Sequence, residues 1–155
     1  MTYVFDSSSL IVLFRHYYPK RFPTLWENFN ALVSNQTVVS VREVKNELEG
    51  QSDRLSVWVK DHPELFQIPT VEELGFVADI FKVTHFQTLI RKKERLRGKP
   101  VADPFVIAKA KISGACVVTQ EKLKENAAQI PNVRKHFGIH YCDLEGFMER
   151  ENWMF

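Results

Sequence analysis

The chain has 155 residues, 45% of them hydrophobic, with 21 Lys and Arg against 19 Asp and Glu. A net charge of +2 at that apolar content excludes a disordered polyelectrolyte, and six Gly and seven Pro exclude collagen-like or low-complexity character. The strongest apolar run, residues 10–14, is far short of the roughly 20 residues that span a bilayer.

Residues 3–5 (Tyr-Val-Phe) are β-prone, stop at Asp6 and predict a first strand. The pattern turns helical over 7–18, and Phe22, Leu25, Trp26, Phe29, Leu32 and Val33 predict a second, amphipathic helix. Asn35-Gln36 ends it, and Thr37-Val38-Val39 predicts a second strand. Ser40-Val41-Arg42-Glu43 has the spacing of a capping box and predicts a helix through about Glu49. Leu55, Trp58 and Val59 mark a further helix, and residues 65–68 fit either a short strand or an extended loop. A long helical region is expected from Val71, interrupted near Gly75 and fading into a basic stretch. Asp103-Pro104 opens another helix, with Pro suited to a first turn. Residues 116–119 predict a third strand and 138–141 a fourth. Strands separated by helices predict one domain over 1–155, an α/β sandwich on a mostly parallel sheet.

In such sheets ligands bind beyond the carboxyl ends of the strands. Asp6 ends the first strand, Glu43 and Glu47 follow the second, Glu121 follows the third, and Asp103 opens the helix leading into it. Oxygen donors of this kind suit Mg²⁺ or Mn²⁺, which can activate water against a phosphodiester. Each acid also has a structural role open to it: Asp6 as a helix cap, Asp103 and Glu121 in a first turn, Glu43 in the capping box. Glu47 has no capping role and shares a helix face with Glu43 at i, i+4, so Glu47 is favoured and Glu43 is auxiliary. His16, His62, His85, His136 and His140 lack metal-ligand spacing, and Ser7, Ser8 and Ser9 lack a nucleophile elbow. Trp26, Phe29 and Trp58 read as core. Cys116 and Cys142 are too few for a disulfide scaffold and read as buried, reduced thiols.

Val4-Phe5-Asp6-Ser7-Ser8-Ser9-Leu10, Val44-Lys45-Asn46-Glu47-Leu48, Ala102-Asp103-Pro104-Phe105-Val106-Ile107-Ala108-Lys109-Ala110 and Val117-Val118-Thr119-Gln120-Glu121 occur in that order. Together they resemble the PIN-domain nucleases, most closely the compact stand-alone prokaryotic proteins, many of them toxins of toxin–antitoxin pairs. The resemblance covers residues 2 to about 142, and it departs from the family in having Glu121 where Asp is usual. It implies a three-layer α/β/α sandwich with four or five strands and a metal-dependent endoribonuclease. Asp6, Glu47, Asp103 and Glu121 would bind Mg²⁺ or Mn²⁺ with Glu43 in support, while Ser7, Ser8 and Thr119 would steady the site. It also implies an antitoxin partner and a homodimer, to which the apolar end Trp153-Met154-Phe155 would add contact surface.

Residues 91–99 carry six basic side chains and one acidic, a net +5, which leaves −3 for the rest. Arg91, Lys92, Lys93, Arg95, Arg97 and Lys99 are expected to hold an RNA backbone; a solvated helix end is the plain alternative. A non-catalytic nucleic-acid or partner-binding module on the same scaffold is the rival reading. The first residues show no basic segment before an apolar one, so no signal peptide is expected and a cytoplasmic location is.

Overall fold

The computed structural model describes residues 1–50, 54–97, 101–122 and 130–155. Five short strands form one sheet: β1 (Tyr3–Phe5), β2 (Val38–Val41), β3 (Phe66–Gln67), β4 (Cys116–Val118) and β5 (Tyr141–Cys142). The order is β3-β2-β1-β4-β5, with every pairing parallel. Tyr3 sits opposite both Val38 and Cys116, and Val118 sits opposite Cys142. β1, β2 and β4 are buried at every residue, as a parallel sheet covered on both faces requires. The expected three-layer sandwich is therefore present, in its five-strand form.

The flanking helices are α1 (Ser7–His16), α2 (Pro23–Ser34), α3 (Arg42–Leu48), α4 (Arg54–Asp61), α5 (Val71–Phe81), α6 (Thr84–Arg97), α7 (Asp103–Ser113), α8 (Ile130–Phe137) and α9 (Leu144–Arg150). Their apolar stripes meet the sheet in one core. Phe14, Trp26, Phe29 and Trp58 form an aromatic cluster in it, and Phe147 packs edge-on against Tyr3 and Phe5. Trp153 docks on Phe147, while Met154 and Phe155 remain exposed. No helix of the described residues is long and apolar enough to cross a membrane.

Three expectations need correction. Ser40 is the third residue of β2 rather than a helix cap: its hydroxyl donates to the Phe5 carbonyl at 2.6 Å, and α3 starts without a side-chain cap. The capping box lies elsewhere, at Thr70 and Glu73, and it starts α5. α5 then runs through Gly75 without interruption, and the break falls at Lys82–Val83 before α6. The fourth expected strand is displaced, because Gly138 takes φ +69° in the turn after α8 and β5 begins only at Tyr141. Of residues 65–68, Leu65 ends a 3₁₀ turn that spans Pro63–Leu65, and Phe66–Gln67 form β3. Two helices, α8 and α9, were not anticipated; α9 is capped by Asp143, which accepts from Gly146 N–H at 2.8 Å.

Candidate carboxylate site

Because the strands are parallel and in register, their carboxyl ends deliver side chains to one edge. Asp6 follows β1 and caps α1, accepting from Ser9 N–H at 2.8 Å. The Ser8 hydroxyl reaches both of its oxygens at 2.8 Å, and Thr119, just past β4, donates to Oδ2 at 2.6 Å. Ser8 in turn accepts from Gln120 N–H, and Thr119 from Glu121 N–H. Three donor groups thus hold the buried carboxylate, so Asp6 both caps α1 and ties it to the segment after β4.

Glu47 projects from α3 and bridges two distant segments. Its Oε2 accepts from the Ser7 hydroxyl at 2.6 Å and its Oε1 from Ala102 N–H at 2.8 Å. Asp103 is the next residue and the first of α7, with Lys93 Nζ of α6 at 3.3 Å from its Oδ2. Glu43 is buried as well, but its Oε1 faces Arg42 at 2.9 Å and its Oε2 meets no hydrogen-bond donor among the described residues. Glu121 borders a cleft of about 470 Å³ whose lining includes Thr119, Gln120, Tyr141 and Cys142.

The electrostatics tie these groups together. Burial, first, pushes Asp103 up to about 7; the Glu121 charge adds to it, Lys93 opposes, and Glu47 adds a little more. Asp6 is pushed up to about 6 by burial against the pull of Thr119, Ser9 and Ser8, with the Asp103 charge adding to the rise. Asp6, Glu47, Asp103 and Glu121 therefore share one electrostatic neighbourhood.

The donor chemistry suits a hard divalent cation, since the nearby acids offer only oxygen. Among the described residues no group of three or more His, Cys, Asp or Glu is placed to hold a metal ion. Asp6 is taken by hydroxyls and an amide, Glu47 by Ser7 and Ala102, and Asp103 faces an ammonium. The Ala102 amide as a donor was not legible in the sequence, because Glu47 lies 55 residues away, and Lys93, ten residues before Asp103, read as an RNA contact rather than as its counter-charge.

On α6, Arg91, Lys92 and Arg95 are exposed, and Lys93 is half-buried toward Asp103. The Arg97 side chain and all of Lys99 lie outside the described residues. Ser7, Ser8 and Thr119 each bond a site carboxylate, although Ser7 serves Glu47 rather than Asp6.

A family model described as a domain of unknown function (DUF4411) matches residues 3–155. No curated protein matches the chain. Among solved structures, VapBC-1 from nontypeable Haemophilus influenzae aligns at 14% identity and TM-score 0.53, over 92% of this chain and 98% of that one. VapBC2 from Rickettsia felis, bound to a DNA fragment from its promoter, aligns at 13% identity and TM-score 0.46 over 92% and 98%. PAE2754 from Pyrobaculum aerophilum aligns at 16% identity and TM-score 0.49 over 97% and 96%. The first of these shows a shared PIN-like fold and, at such identity, the fold alone.

Proposed function

The chain belongs to the DUF4411 family, and we propose that this member is an RNA-binding module on a PIN-like scaffold, with α6 as its polyanion contact. The observation that carries the reading is the Lys93–Asp103 pair, 3.3 Å long, which fixes the basic helix against the carboxylate edge. Arg91, Lys92 and Arg95 stay exposed on that helix, available for phosphates. The carboxylates, each engaged by protein groups, brace the edge against which the helix lies and repel polyanions from it. Backbone contacts of this kind give affinity without sequence preference.

A second reading is hydrolysis of RNA at a Mg²⁺- or Mn²⁺-dependent site made of Asp6, Glu47, Asp103 and Glu121, with Glu43 in support. One observation favours it: burial raises both Asp6 and Asp103, and neighbouring acids add to it, Glu121 and Glu47 at Asp103 in spite of Lys93 and Asp103 at Asp6. An antitoxin and a homodimer belong to this reading and rest on the family resemblance. The test is to incubate labelled RNA with the protein in Mg²⁺ or Mn²⁺, with and without EDTA. In the first reading the RNA returns full-length. Shortening that EDTA abolishes, and that Asp6→Asn and Asp103→Asn lose, would establish the second.

A further inference from the structure

The two cysteines lie on neighbouring strands. β4 and β5 pair with Val118 opposite Cys142, so Cys116, two residues earlier, presents its side chain to the same face. The two Sγ atoms are 3.7 Å apart, and both thiols are free. Arg150, the last residue of α9, places Nη1 3.3 Å from Cys116 Sγ. Cys116 is buried, whereas Cys142 is partly exposed and lines the cleft beside Glu121.

We propose that Cys116 and Cys142 form a thiol pair that hydroperoxides oxidise to a reversible disulfide, with Arg150 as the positioning residue. The sulfur–sulfur contact outweighs burial and, with the charges of Arg150 and Arg134, brings Cys116 down to about 7, while the same contact and burial raise Cys142, with Asp143 adding to the rise and Arg150 opposing it. The pair thus loses one proton near neutrality and shares the other across the sulfur–sulfur contact. Cys142 is the sulfur that solvent reaches, and it is the nucleophile once its proton has passed to Cys116 across the 3.7 Å contact.

Cys142 thiolate attacks the hydroperoxide: the S–O bond forms, the O–O bond breaks, and the leaving alkoxide or hydroxide takes the proton from Cys116. Cys116, deprotonated beside Arg150, then attacks Cys142 Sγ; the S–S bond forms, the S–O bond breaks, and hydroxide leaves to become water. Two thiols lose two electrons, and one hydroperoxide becomes an alcohol, or water, plus a further water. An S–S bond is about 2.05 Å long, so closing the 3.7 Å between the two sulfurs needs movement. β5, two residues long at the sheet edge, is the element that has to shift. A bridge closed under that strain is readily reduced, which makes it reversible.

The test uses the reduced full-length chain, hydrogen peroxide and intact mass after thiol alkylation. The expected product is an intramolecular disulfide, about 2 Da lighter and unalkylated, which dithiothreitol returns to the dithiol. Cys142→Ser, whose site is partly exposed and tolerant, is expected to give no such product. Arg150→Gln is expected to slow closure about tenfold at pH 7, with the rate recovered at higher pH. Two alkylated cysteines after peroxide, or a disulfide only between chains, would overturn the proposal. A pH profile unmoved in Arg150→Gln would overturn the role of Arg150.

Discussion

Ser7 and Glu47, 40 residues apart, are joined by a 2.6 Å hydrogen bond that ties the first turn of α1 to α3. The other oxygen of Glu47 receives the amide of buried Ala102, so one carboxylate fastens three segments together. Glu47→Ala leaves that amide without its acceptor, and an unpaired buried donor costs about 1–3 kcal/mol. We expect a urea midpoint lowered to match, with Glu47→Gln losing about half as much. A Glu47→Ala chain as stable as wild type would show that the clasp carries no energy.

Ser40 and Glu43 separate in the same way. The Ser40 hydroxyl is spent on the Phe5 carbonyl inside the sheet, so Ser40→Ala should cost about 1 kcal/mol. Glu43→Gln replaces a buried carboxylate that has one unpaired oxygen, and should be neutral to within about 0.5 kcal/mol. Equal losses from both, read by chemical denaturation, would restore the capping box.

These two positions show how far the sequence carries. The strands were legible because β1, β2 and β4 are β-prone runs buried on both faces. Ser40 was misread because Ser-x-x-Glu before a helix has the same local spelling whether Ser caps that helix or closes a strand. What decides is Phe5, 35 residues away. Gly75 reads as a breaker, yet α5 is started by the Thr70–Glu73 box and packs against α7, and tertiary contact overrides one poor helix former. At the site the residue types were legible and their partners were not: Ser7 reaches Glu47 and Lys93 reaches Asp103 only through the fold.

Asp6 and Asp103 titrate at about 6 and about 7, above an unfolded carboxylate, so the folded state favours their protonated forms. Their contribution is therefore fully present below about pH 4 and is lost as pH rises through those values. Asp103→Asn removes the larger part. Relative to wild type it should gain roughly 2–3 kcal/mol between pH 5 and pH 8. Urea midpoints of both chains at the two pH values check this, and a difference independent of pH would contradict it.

RNA binding through α6 is the central claim, and fluorescence anisotropy of labelled single-stranded RNA across a salt series tests it most directly. Changing Arg91, Lys92 and Arg95 to Ala leaves the Lys93–Asp103 contact in place and removes three exposed charges. Each lost phosphate contact lowers the salt slope by about 0.7, so the triple variant should bind more weakly, most visibly at low salt, with a slope smaller by about 2. A wild-type chain that binds no RNA, or a variant with the same affinity and slope, would contradict the account.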